Sequence, residues 1–140
     1  MASFSEEDIM VICDQIFEKL GFNYELEDLA ILLEESIYIE LYRIMFPYLE
    51  TILVEIASKK TKTGQKIQDL IDLLSSTILN MDLSHIKGEN IAKGDKKHIL
   101  NFLQLLFEVI KLIRPSNNKE VAMHSAPISK KIIISVFFVF

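Results

Sequence analysis

The chain has 140 residues, half of them apolar and a quarter charged, with a formal net charge of −5. That length predicts one domain, and that mix predicts a packed globule rather than a disordered chain. Four glycines and three prolines exclude collagen-like and low-complexity chains, and a single cysteine, Cys13, excludes an internal disulfide and a metal site built on several thiolates.

The start, Met1 to Asp8, lacks the basic and apolar segments of a signal peptide and is too acidic for a transit peptide, so a cytoplasmic protein is expected. Ser5 before Glu6, Glu7 and Asp8 reads as a helix N-cap with acids in the first turn, where the helix dipole favours them. Ile9, Ile12, Cys13, Ile16, Phe17 and Leu20 then recur at helical spacing as one buried stripe. Gly21 sits where a left-handed residue ends a helix. Residues 22–35 have a blurred period and are expected to form an irregular loop, with at most a short helical turn, that tucks Leu26 and Leu29 under the helices. Ser36 is expected to cap a second helix through Met45, with Ile37, Leu41, Ile44 and Met45 inward. Pro47 ends or kinks it, and Leu49, Ile52, Leu53 and Ile56 continue the apolar pattern.

Residues 58–66 read as a basic polar loop broken at Gly64, without the spacing of a phosphate-binding P-loop. A helix from about Gln65 to Asn80 follows, burying Ile67, Leu70, Ile71, Leu74, Ile78 and Leu79. Leu83 to Gly94 is a structured loop. The strongest helix begins at Asp95 and runs to about Ile113. Ile99, Leu103, Leu106, Phe107, Ile110 and Ile113 share one face, while Leu100, Phe102 and Leu105 widen it, which predicts a central helix. Pro115 stops it. The expected organisation is an all-α bundle of about four to six helices over 1–114, a flexible polar linker over 115–131 and an apolar segment over 132–140. As a helix that last segment spans only about 13 Å, against a hydrocarbon core of about 30 Å, so no membrane span is expected. It reads either as a terminal element docked on the core or as an alternative or truncated end.

Charge is divided along the chain. Residues 1–57 hold two bases against thirteen acids, and residues 58–114 hold ten bases against six acids. Either helices of opposite sign attract one another inside the domain, or the basic half faces an acidic partner. Tyr24, Tyr38, Tyr42 and Tyr48 lie among acids, unlike the basic and aromatic interleaving of nucleic-acid binders, so nucleic acid is not expected. No catalytic motif is present. His85, His98 and His124 lack metal-ligand spacing and read as surface or loop residues. Ser84-His85 has no glycine-flanked nucleophile beside it. Cys13 reads as a small buried thiol. An enzyme and a cofactor are therefore not expected.

The informative run is Leu83 to Leu103. Gly94 can take a backbone angle that other residues resist, and Asp95 can accept a hydrogen bond from the first turn of the next helix. Ile86 and Ile91 can plug the loop onto the core, with Gly88 between them and Lys87, Lys93, Lys96 and Lys97 projecting from one end. The run Leu-Ser-His-Ile-x-Gly-Glu-x-Ile-x-x-Gly-Asp, from Leu83 to Asp95, resembles the divergent calponin-homology-like domains at the N-termini of centrosomal, ciliary and kinetochore coiled-coil proteins, in particular the family of the centrosomal protein of 95 kDa. The resemblance extends over roughly residues 5–113, with its specific part at 83–103. It implies a calponin-homology-like fold, no enzyme activity, and residence at the centrosome or spindle pole. It also implies a protein partner, either tubulin or microtubules met by lysines, or centrosomal coiled-coil proteins. Lys87, Lys93, Lys96 and Lys97 are the expected contacts, joined by Lys59, Lys60 and Lys62. The other expectation is a pairing scaffold without microtubule contact, sticking through the surplus apolar width of the 95–113 helix or through Ile132 to Phe140.

Overall fold

The computed structural model describes residues 6–24 and 26–113. The Ser5 cap, the linker and the apolar end segment lie outside them. The described residues contain six α-helices and no strand, as an all-α bundle requires. Helix α1 is Glu6–Leu20, and its inward positions Ile9, Cys13, Ile16, Phe17 and Leu20 are buried, with Ile12 at the margin. Gly21 closes it at φ +68°. A 3-10 turn, Ala30–Leu33, follows, with Leu26 buried beside the bundle.

Helix α2 is Glu35–Met45. Ser36 is not its cap: the extended residue at its start is Glu34, and Ser36 already lies inside the first turn. Pro47 opens a 3-10 turn to Leu49 and leads into α3, Glu50–Ser58. Helix α4, Thr63–Leu73, starts earlier than the glycine suggests, because Gly64 sits inside its first turn. The helix predicted to reach Asn80 instead widens into a π turn over Leu74–Leu79, ended by Asn80 at φ +52°. Ser75 Oγ donates to the Met81 carbonyl and ties down the exit from this turn. The one-turn helix α5, Gly88–Ala92, lies inside the segment expected to be a loop.

Helix α6, Lys96–Ile113, buries eight side chains between Ile99 and Ile110. Leu100, Phe102 and Leu105 are buried, so its surplus apolar width is core and not a sticky surface. Tyr38 and Tyr42 are also fully buried on α2. Their hydroxyls donate to the Leu32 carbonyl at 2.5 Å and the Leu70 carbonyl at 2.8 Å, so each ring enters the core without stranding a polar atom.

Burial, aided by the Asp14 charge, pushes the Cys13 thiol from 9.0 up to about 12. Burial also raises the Tyr38 and Tyr42 hydroxyls well above 10.0. For such acids the folded state holds its proton longer than the unfolded chain does. Stability is therefore fully present below pH 9 and falls as pH rises from about 9 toward 12, at up to about 1.4 kcal/mol per pH unit for one group. Denaturant titrations across this window are expected to show that fall, shallower between pH 9 and 10 in Cys13→Ala. Native protein at pH 8 is expected to resist maleimide that labels the unfolded chain at once.

Candidate functional site: a groove between α4 and the glycine loop

The segment from Leu83 to Asp95 is anchored from both sides. Ile86 and Ile91 are fully buried and fix it to the core. From α4, Gln68 Oε1 accepts the Gly88 N–H at 2.8 Å, while its Nε2 donates to Asp72 Oδ1 at 2.9 Å. From α6, His98 Nδ1 accepts the Lys87 N–H at 3.0 Å. On the other side of the ring, Nε2 lies 3.2 Å from Asn90 Nδ2. His98 is thus a half-buried clamp rather than a surface histidine.

Gly88 has no room for a side chain. A Cβ there would lie 2.4 Å from the Gln68 nitrogen and 2.5 Å from the Gly64 carbonyl oxygen. Gly64 faces the Glu89 Cα across the same crossing, where a Cβ would lie 3.1 Å from it. The two glycines let the backbones of α4 and α5 touch. Gly94 stands at φ +90°, and its N–H donates to the Ile91 carbonyl at 3.0 Å. Asp95 donates its N–H to the Asn90 carbonyl at 2.9 Å and accepts the Lys97 N–H on its carboxylate at 3.0 Å. The chain thereby turns out of α5 and into a capped α6.

Between α4 and this segment runs a groove of about 840 Å³, with Ile71, Leu83 and Ile86 behind it. Lys62, Lys87 and Lys93 stand on its walls together with Asp72, Asp82 and Glu89. The Ser84 N–H and hydroxyl hold the Asp82 carboxyl below its ordinary 3.8. Of the four lysines singled out in the sequence, the groove contains Lys87 and Lys93; Lys96 and Lys97 lie in the first turn of α6. Lys93 pairs with Glu89 at 3.1 Å and Lys96 with Glu6 at 3.9 Å, while Lys59 pairs with Asp69 at 3.0 Å. The ammonium groups of Lys60, Lys62, Lys87 and Lys97 have no partner among the described residues. Sequence reasoning missed Gln68, Asp72, Asp82 and His98 here. Their only local signal was the pair of small residues at 64 and 88, which marks a close helix contact. Among the described residues no three His, Cys, Asp or Glu side chains gather as metal ligands, and no helix is long and apolar enough to cross a membrane.

A family profile described as "Domain of unknown function (DUF5745)" matches residues 49–109, which hold α4, α5, the groove and most of α6. The "Centrosomal protein of 95 kDa" of Rattus norvegicus is 31% identical over 105 residues, covering 75% of this chain and 12% of the relative. Its counterpart from Mus musculus is 30% identical over 105 residues with the same coverage. The chain thus spans about an eighth of the length of these relatives. No solved structure gives a significant match. Residues 49–109 thus resemble the DUF5745 profile, and 105 residues of the chain are similar to a part of the centrosomal proteins of 95 kDa.

Proposed function

We propose that the chain is a non-enzymatic protein-interaction domain of the cytoplasm, held at the centrosome or spindle pole, that meets acidic protein surfaces such as tubulin or microtubules through its free lysines. The relation to centrosomal proteins supports the location. The observation that carries the chemistry is the set of exposed ammonium groups on Lys62, Lys87 and Lys97 that have no ion pair among the described residues. The Leu83–Asp95 run supports a calponin-homology-like assignment of the bundle. Co-sedimentation with microtubules tests the contact. Lys62→Glu, Lys87→Glu and Lys97→Glu together are expected to weaken binding at least about tenfold, and added salt is expected to weaken the wild type as the Debye length shortens. Extending the series to Lys93 and Lys96 is expected to add less, since their charges are already paired. Binding that ignores these substitutions removes the lysine mechanism.

A second reading is a pairing scaffold that does not touch microtubules. With α6 buried, its surface moves to α3 and the turn before it, where Tyr48, Ile52 and Val54 are 74%, 37% and 44% exposed. Light scattering that gives a monomer for both wild type and Tyr48→Ser/Ile52→Ser counts against it.

A further inference from the structure

The charges of the groove are sorted by position. Lys62 precedes the first turn of α4, and Lys93 follows Ala92, whose Cβ lies 3.6 Å from where a Cβ on Gly64 would stand. Asp72 lies about ten residues further along α4, roughly 15 Å at 1.5 Å per residue. Asp82 is held near that far end because Ser75, one turn on from Asp72, bonds the carbonyl of Met81. Two lysines therefore stand at one end, with Glu89 paired to Lys93 there, and two aspartates at the other; Lys87, without an ion pair among the described residues, precedes Gly88, which bonds Gln68.

We infer that the groove takes a short extended segment of a partner protein that is acidic at one end and basic at the other, its acids against Lys62 and Lys93 and its bases against Asp72 and Asp82. A uniformly acidic segment would bring its far half against two carboxylates, and like charges in register oppose binding. The span suits about five or six extended residues at roughly 3.3 Å each. Lys93 gives up an exposed pair with Glu89, and such pairs are worth little, so exchanging it for a peptide carboxylate costs little. The walls are already set by the Gln68–Gly88 hydrogen bond and the two buried isoleucines, so docking orders the peptide and not the groove. This deepens the protein-interaction reading and does not depend on tubulin.

Fluorescence anisotropy with the full chain tests it, using four labelled, end-capped hexapeptides. These are Glu-Glu-Ser-Ser-Lys-Lys, its reverse, an all-Glu peptide and an all-Lys peptide. One of the two mixed orders is expected to bind about tenfold tighter than the other three peptides. The exchange Lys62→Glu with Asp72→Lys is expected to reverse the preferred order, and Lys62→Ala alone, at a side chain with no ion pair among the described residues, to weaken it several-fold. Equal binding of both orders, tighter binding of all-Glu, or no binding overturns the inference. Absent peptide binding with intact microtubule co-sedimentation defeats the groove alone. Order-dependent binding without co-sedimentation defeats the tubulin reading alone.

Discussion

Replacing Phe102 with alanine is expected to cost about 3–5 kcal/mol of folding stability, a large share of the roughly 5–15 kcal/mol that holds a domain of this size. Phe102 is fully buried, and its ring lies 5.2 Å from that of Tyr38, which is buried just as deeply. The loss combines the transfer energy of a large side chain with a cavity that stiff neighbours fill only in part. Those neighbours cannot move freely. Tyr38 is fixed by its hydrogen bond to Leu32, and leaving that bond to fill the void would strand a hydroxyl in the core. Phe107 is the control on the same helix. It is only partly buried, and Lys111 covers its ring from solvent at 5.0 Å. Phe107→Ala is expected to cost less, about 1–2 kcal/mol, since part of its ring already lies outside the core and the void left is open to solvent. Urea denaturation with parallel slopes measures both. Equal losses at the two positions would mean that Phe102 is no more deeply packed than Phe107.

The contrast between those two phenylalanines also marks how far sequence carries. Period 3.6 assigns both to the apolar side of α6, and it assigned α1 correctly down to the left-handed Gly21. It does not say how many neighbours crowd each position. Tyr38 and Tyr42 were harder still, since a tyrosine among acids looks like surface. What lets them enter the core is a carbonyl 6 residues away for one and 28 for the other. No local pattern contains such a partner. The π turn at Leu74–Leu79 keeps the residues of an ordinary helix and changes only their hydrogen-bond register, so it left no trace in the spacing. Helix α5, with five residues, is too short to show a period at all.

The candidate groove divides in the same way. Its turn has local causes, a glycine at φ +90° followed by an aspartate that accepts from the next helix, and those are legible as a Gly-Asp pair. Its wall is made by residues twenty positions apart, Gln68 and Gly88, and its charges come from both sides. The basic excess of residues 58–114 was visible as composition. Its sorting into a lysine end and an aspartate end required the fold. Pairing also reorders the lysines. A surface ammonium already near a carboxylate, as at Lys93 or Lys96, has less to offer a partner than one with no ion pair among the described residues, as at Lys62, Lys87 or Lys97.

The glycine crossing gives the sharpest test of that geometry. Gly88→Ala is expected to destabilise the domain by about 3 kcal/mol, at the upper end for overpacking. On propensity alone the change should help, because alanine is favoured over glycine inside a helix by about 1 kcal/mol. The clash decides the sign. The new methyl would sit 2.4 Å from a backbone nitrogen and 2.5 Å from a backbone oxygen of α4, and neither can swing aside as a side-chain tip could. Relief requires α5 to lift off α4, which lengthens the Gly88–Gln68 hydrogen bond and pulls Ile91 from the core. Gly64→Ala sits on the other side of the same crossing, but its methyl would stand 3.1 Å from the nearest atom, so its clash and its helix gain are expected to offset within about 1 kcal/mol. Hydrogen exchange separates this from a general loss of structure. In Gly88→Ala the amides of Gly88 to Lys93 are expected to lose protection first, with those of α1 and the middle of α6 following only the global loss. Because the groove is the space between these two elements, the same variant is expected to lose peptide binding while it remains folded. A Gly88→Ala protein as stable as wild type would mean that α4 and α5 do not touch through their backbones, and the groove as described would not exist.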